Sequence, residues 1–172
     1  RETYQSMEAL IHNLNSMQSR AGAQVPFSSI NYGTGTTPEQ RMVMKNVLLA
    51  TDAGLGGGET PIFPVQIFKV KDGINTKPGD PNYDLFRLSC KVSAKRLFPN
   101  FSFLDAPFNA EYYIPGHPET EVALMGCRTR VVSNYYDKTR QIIPGRGNLS
   151  FTTINLPRLG IEAHGSISNF FE

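Results

Sequence analysis

Residues 37–68 read TPEQRMVMKNVLLATDAGLGGGETPIFPVQIF, and the order of signals in this stretch decides the fold class. Thr37 is an N-cap residue, and Pro38 falls in the first turn. Gln40 lies where its amide can return a hydrogen bond to the cap. Met42, Val43, Met44, Val47, Leu48 and Leu49 carry the helix to a stop near Gly54. A glycine-rich loop follows, and Ile62 to Phe68 is a short apolar run of strand length. Helix, loop and apolar strand in that order are half of the unit from which parallel sheets are built.

The same alternation continues on both sides. Upstream, Tyr4, Met7, Ile11, Leu14 and Met17 recur at three- and four-residue steps and predict a helix over the first twenty residues. Arg20-Ala21-Gly22 ends it, with Arg20 as a partner for the helix C-terminus. Ala23 to Tyr32 is extended and breaks at Gly33. Downstream, Asp80-Pro81 opens a third helix with Leu85, Phe86, Leu88, Val92 and Leu97 on its buried side, and Cys90 reads as a packing residue within it. Phe101 to Leu104 is a third strand. The pattern α-β-α-β-α-β predicts an α/β fold with a largely parallel sheet. After Asp105 the character changes: Pro107, Pro115, Gly116 and Pro118 mark a long loop. Two strand-like runs then flank Cys127, and Leu149 to Leu156 reads as a last strand. Open edges and missing ends imply that residues 1–172 are one partial domain, a segment of a larger barrel.

Composition narrows the function classes. The 172 residues carry 17 Lys and Arg against 15 Asp and Glu, a net charge of +2, with no basic patch interleaved with aromatics. That balance points to no DNA or RNA partner. Cys90 and Cys127 form neither a CxxC pair nor a zinc-spaced set with histidine, so neither a metal site nor a disulfide framework is encoded. No charged n-region precedes an apolar h-region, and no apolar run approaches about 18 residues. The expectation is a cytoplasmic protein without a membrane partner.

Two segments carry candidate chemistry, Met125-Gly126-Cys127-Arg128-Thr129-Arg130 and Gly145-Arg146-Gly147-Asn148-Leu149-Ser150. A cysteine between apolar flanks is ordinarily a small packing residue. Here Gly126 lets the backbone turn or approach a ligand closely. Arg128 and Arg130 would favour a thiolate, which an ionic nucleophile needs and a thiyl radical does not. His12, His117 and His164 sit in helix, loop and tail contexts, so a Cys-His hydrolase is poorly supported. Asn148 is either a turn residue or a neutral amide placed to donate and accept hydrogen bonds at a ribose. The distance along the chain allows an out-and-back connection that returns Asn148 to Cys127. The loop Gly54-Leu55-Gly56-Gly57-Gly58-Glu59-Thr60 lacks the GxxxxGK[ST] pattern and precedes a strand, which excludes a nucleotide P-loop and leaves a mobile or gating loop. Ser28, Ser29 and Asn31 are polar positions in an extended run, alternating with Phe27 and Ile30.

The runs Ser19 to Gly33, Gly58 to Pro64, Arg96 to Phe101, the Cys127 segment and Gly145 to Leu159 together resemble the anaerobic, glycyl-radical ribonucleoside-triphosphate reductases. The resemblance covers essentially the whole chain. It implies a segment of a ten-stranded α/β barrel with an internal finger loop, and it places the thiyl radical on Cys127. That radical would abstract the ribose 3′ hydrogen, after which the 2′ hydroxyl leaves as water. Asn148 falls where other reductases carry a second redox cysteine, which implies formate as reductant. Gly54, Gly56, Gly57, Gly58, Glu59 and Thr60 lie where the superfamily places its specificity loop, and Ser28, Ser29 and Asn31 become substrate-pocket candidates. Residues 1–20 would lie near an effector site and a subunit contact. The implied partners are a ribonucleoside triphosphate, dNTP and ATP effectors, a second subunit in a homodimer, and a radical-generating iron–sulfur/S-adenosylmethionine activase. Neither a glycyl-radical segment nor a cysteine quartet for zinc is present, so no cofactor is bound by this segment and the 172 residues alone would be inactive. Two alternatives stay open. Formate-lyase and diol-dehydratase types of glycyl-radical enzyme use paired cysteines or an acidic residue after the cysteine, whereas Arg128-Thr129 follows here. A noncatalytic nucleotide-binding module of the same fold is the other.

Overall fold

A computed structural model describes residues 1–18, 21–22, 24–126, 129–132, 134, 137 and 152–171. The elements are α1 (Glu2–Ser16), β1 (Ser29–Tyr32), α2 (Pro38–Ala53), β2 (Val65–Val70), α3 (Tyr83–Arg96), β3 (Asn100–Phe103) and α4 (Pro107–Ala110). A short 3-10 turn (Pro118–Thr120) precedes β4 (Ala123–Met125), β5 (Thr129–Val131), α5 (Leu156–Glu162) and α6 (Ile167–Phe171). The sheet order β1-β2-β3 follows the sequence, and both pairings are parallel, with Ser29 opposite Val65 and Ile67 opposite Asn100. The α/β class with a parallel sheet is therefore as the alternation predicts. The capping box at Thr37 forms as read: the Thr37 hydroxyl accepts from the Gln40 amide at 3.3 Å and the Thr37 amide donates to Gln40 Oε1 at 3.2 Å.

Period-2 alternation divides the sheet into two faces of different chemistry. Tyr32, Phe68, Val70 and Phe101 pack with Met44 and Leu48 of α2 and with Leu85, Phe86, Leu88 and Val92 of α3, forming the hydrophobic core. Phe68 lies at its centre, with the rings of Tyr32, Phe86 and Phe101 at 5.6, 6.2 and 6.2 Å. Gln66 is buried on this apolar face, yet its amide is satisfied. It donates to Thr51 Oγ1 at 2.7 Å, Thr51 donates to Val47 O at 2.8 Å, and Tyr32 donates to Gln66 Oε1 at 2.7 Å. Burial pushes the Tyr32 phenol far above its ordinary range, keeping it a donor in that chain. Ser29, Asn31 and Lys69 belong to the opposite face by register.

At the C-terminal end of the strands, two fully buried amides close the loops. Asn75 donates to Gly33 O and Lys69 O, and Asn82 donates to Gly33 O and Gly35 O, all between 2.8 and 3.1 Å. Arg41 of α2 donates in turn to Asn82 Oδ1 at 2.6 Å.

Several boundaries move from the sequence reading for identifiable reasons. α1 stops at Ser16 and Met17 is extended and exposed, because Asn15 turns its side chain to the 62–63 backbone: it donates to Phe63 O at 2.6 Å and accepts from the Ile62 and Phe63 amides. Those bonds occupy the start of the predicted strand, so Ile62 is 65% exposed and β2 begins at Val65. Asp80 binds the amides of Thr76 and Lys77 in a preceding turn, so α3 starts at Tyr83. Leu97 leaves the buried side altogether; it is the left-handed C-cap of α3 and is 79% exposed. Cys90 is exposed, while Ser89 and Val92 take the buried positions. The last predicted strand, Leu149 to Leu156, is not one over its described part. Residues 152–155 have no regular structure, and Asn155 caps α5 by accepting from the Arg158 amide at 3.0 Å. An asparagine followed by Leu156-Pro157 is a helix start, and that local chemistry overrides the apolar content. Positions 149–151 lie outside the described residues, as does Arg20.

Truncating the core centre tests this packing. Phe68→Ala is expected to lower stability by about 3–5 kcal/mol, measured by urea unfolding of the 172-residue chain. Phe103→Ala, on a ring 56% exposed, is expected to cost about 1 kcal/mol or less.

Candidate functional site

The polar face of the sheet carries the hairpin whose strands flank Cys127. β4 and β5 form an antiparallel hairpin in which Ala123 opposes Val131, Leu124 opposes Arg130 and Met125 opposes Thr129. Positions 126–128 join the paired ends. Gly126 is buried with φ +66, a conformation that favours glycine, and a Cβ built on it would stand 3.0 Å from Cε1 of the exposed Phe27 ring. Cys127 and Arg128 lie outside the described residues, and so does Asn148. The structure therefore defines the mount on either side of residue 127 and not the thiol itself.

Four anchors hold that mount. Asn31 of β1 uses both ends of its amide on one residue of β4, donating to Leu124 O at 2.8 Å and accepting from the Leu124 amide at 2.9 Å. Ser29 accepts from the Gly126 amide at 3.1 Å. Lys69 of β2 pairs with Glu121, just before β4, at 2.7 Å, with both side chains largely buried. On the far side, Arg130 of β5 donates to Phe108 O at 3.0 Å and to Asn109 Oδ1 at 3.3 Å, with its guanidinium 5.5 and 5.6 Å from the Phe108 and Tyr112 rings. Arg130 is thus directed to α4, which removes the basis for reading it as a promoter of thiolate.

The other candidates sit as follows. Ser29 and Asn31 spend hydrogen bonds on the hairpin backbone. The Ser28 hydroxyl is buried with no hydrogen-bond partner among the described residues. The glycine-rich loop leaves α2 at Gly54, whose φ of +82 and ψ of −167 only glycine adopts readily. Within the loop, Leu55 N donates to Glu59 O at 2.9 Å, Gly58 N to Leu55 O at 2.6 Å and Gly57 N to Glu59 Oε2 at 2.9 Å. Gly56, Gly57, Gly58, Glu59 and Thr60 are exposed, but the base of the loop is fixed. Arg96, buried at the end of α3, donates to Asp52 O, Ala53 O and Gly58 O at 2.7 to 3.0 Å, capping the last carbonyls of α2. Beside it, Lys95 hydrogen-bonds Asp52 at 2.8 Å and holds that carboxyl below its ordinary range. From the far end of the loop, Phe63 stacks edge-on to Phe27 at 5.2 Å, and Phe27 borders Gly126. The glycine-rich loop and the hairpin tip therefore meet through two aromatic rings.

Sequence reasoning missed Asn15, Lys69, Glu121 and Arg96. Arginine in the last turn of a helix reads as a partner for its own dipole, and nothing local shows that it serves the neighbouring helix instead. A cavity of about 40 Å³ lies between Lys71, Leu104, Asp105, Tyr113 and Glu121. That is room for water, far below the several hundred Å³ of a nucleotide pocket. Among the described residues no cluster of His, Cys, Asp or Glu could hold a metal ion, and no helix is long and apolar enough to cross a membrane.

The fold is an α/β scaffold in which an antiparallel hairpin, β4–β5, is tied by side chains to one face of a parallel sheet. A family model described as anaerobic ribonucleoside-triphosphate reductase matches residues 1–172, and the chain belongs to that family. It is 33% identical over 173 residues to the anaerobic ribonucleoside-triphosphate reductase of Escherichia coli strain K12, covering 100% of this chain and 23% of the relative. It is 36% identical over 166 residues to the enzyme of the same name from Enterobacteria phage T4, covering 95% of this chain and 26% of the relative. A Haemophilus influenzae relative is 31% identical over 166 residues, 95% of this chain and 22% of the relative. The chain thus spans about a quarter of the length of the curated relatives it matches.

The loop base offers a direct test. Gly54→Ala must place a Cβ 2.7 Å from Glu59 O and 2.9 Å from Arg96 Nη2, and is expected to cost about 1–3 kcal/mol in urea unfolding. Gly56→Ala, with open space around it, is expected to change stability by less than about 0.5 kcal/mol.

Proposed function

We propose that this chain is part of the catalytic barrel of an anaerobic reductase acting on ribonucleoside triphosphates, with Cys127 as the residue that attacks the substrate. The observation that supports the reading is the hairpin: a family match over the whole chain coincides with a cysteine next to a glycine anchored, through its amide, to the central sheet. The three parallel strands are a segment of a ten-stranded barrel, and the loop at residues 126–128 is the finger loop inside it.

In this reading the Cys127 sulfur, as a thiyl radical, takes the 3′ hydrogen of the ribose, forming an S–H bond and leaving a carbon-centred radical. The 2′ hydroxyl then departs as water with the proton of the 3′ hydroxyl, which becomes a carbonyl. Formate is oxidised to carbon dioxide, and its two electrons and hydrogen, with one proton from solvent, supply the new hydrogen at C2′ and restore the 3′ hydroxyl, while the 3′ hydrogen returns from Cys127. A glycyl radical, installed by an iron–sulfur/S-adenosylmethionine activase, supplies the oxidising equivalent that makes the thiyl radical. Asn148 hydrogen-bonds the ribose, and its amide fits a step in which no second cysteine is oxidised. The 54–60 loop serves as the specificity loop, reaching the hairpin by way of Phe63 and Phe27. ATP or dNTP effectors and a homodimer contact belong to the neighbourhood of α1.

The test is formate-dependent deoxynucleotide formation by the activated, complete reductase under anaerobic conditions. Cys127→Ser is expected to abolish turnover while the glycyl radical persists by electron paramagnetic resonance. Unchanged turnover would remove Cys127 from the chemistry. The 172-residue chain alone is expected to show none.

A further inference from the structure

Asn31 and Ser29 invite a substrate-pocket reading because they are polar side chains on the face of the sheet that carries the hairpin. Their geometry argues otherwise. Asn31 presents an amide to Leu124 as a neighbouring strand would present its backbone, with one donor and one acceptor at 2.8 and 2.9 Å. Ser29 meets Gly126 at 3.1 Å. Moving two residues back along β1 moves two residues forward along β4, so the two contacts share one antiparallel alignment. A shift of β4 by a single residue breaks both, because it presents a side chain where an amide is needed.

The bonds also act on the side of the hairpin from which residue 127 follows. Gly126 immediately precedes Cys127, and its amide donates to a side chain of β1. The Lys69–Glu121 pair fixes the entry to β4 and Arg130 fixes β5 to α4, but neither sets the height of Gly126 above the sheet.

We propose that Asn31 and Ser29 are positioning residues that set the register and height of the loop carrying Cys127, and that they do not contact substrate. The inference rests on the reductase reading only for its catalytic consequence; the clamp itself is a property of this chain. Displacing a reacting group by about 1 Å can cost about a hundredfold in rate without altering binding.

Two measurements test it separately. In the 172-residue chain, amide hydrogen exchange reads the clamp with no reference to activity. Ser29→Ala should speed exchange at Gly126 about tenfold while Phe68, in the opposite face, stays protected, and Ser29→Thr, which keeps the hydroxyl, should restore protection. Unchanged exchange at Gly126 would overturn the clamp. In the complete reductase, Asn31→Leu and Ser29→Ala should lower kcat about 10- to 100-fold with KM unchanged, and Ser29→Thr should recover kcat. A raised KM with kcat preserved would make these residues substrate contacts and overturn the proposal, as would wild-type kinetics. If Asn31→Leu does not fold, the Ser29 pair, which removes or keeps one hydroxyl, still decides. Loss of the reductase reading itself would show instead as wild-type turnover in Cys127→Ser, leaving the exchange result standing.

Discussion

The sheet and its two covering helices are arranged about β2, a strand with almost no exposed side. Val65, Gln66, Ile67, Phe68 and Val70 are all buried. Helices α2 and α3 cover one face with apolar side chains, β1 and β3 satisfy its backbone on both edges, and the hairpin covers the polar face. A central parallel strand must be covered on both faces, because its edges and faces offer no route to water. Here the two covers are made of different chemistry. The helical cover works by burial of area, which is tolerant of direction; the opposite face also buries Val65 and Ile67, but the hairpin is tied to it by hydrogen bonds, which are not.

That difference explains what holds where. Phe68 and its ring neighbours give the apolar face stability that depends on volume and shape. On the other face, Asn31, Ser29 and Lys69 each bind one particular residue of the hairpin segment. Directional bonds of this kind add little net free energy but penalise any wrong alignment heavily, since each mismatch leaves a buried polar group without a partner. The molecule therefore uses area to stay folded and hydrogen bonds to stay in register.

The elements legible in the sequence are those whose signal is local. The Thr37 capping box, the apolar stripe of α2 and the order of helices and strands all follow from spacing, and the parallel sheet follows from their order. The hairpin flanks were readable as strand-like runs, although their pairing was not. What could not be read is what crosses the chain. Asn15 looks like one polar residue on a helix, yet it ends α1 by binding a loop distant in sequence, and so moves the start of β2 as well. Leu97 reads as core until the left-handed turn that ends α3 puts it outside. For the site, the glycine beside the cysteine was a true signal of a tight turn, whereas the pairing of Arg130 with α4 required the folded neighbours.

The buried amides of Asn75 and Asn82 carry a consequence for the loops they close. Open α/β sheets generally admit ligands at the carboxyl ends of their strands, where the connecting loops splay apart. In this sheet that end is stoppered: the carbonyls of Gly33, Gly35 and Lys69 are taken by two side chains, and Arg41 bolts one of them to the start of α2. Loops tied in this way cannot splay apart without leaving two buried amides unpartnered.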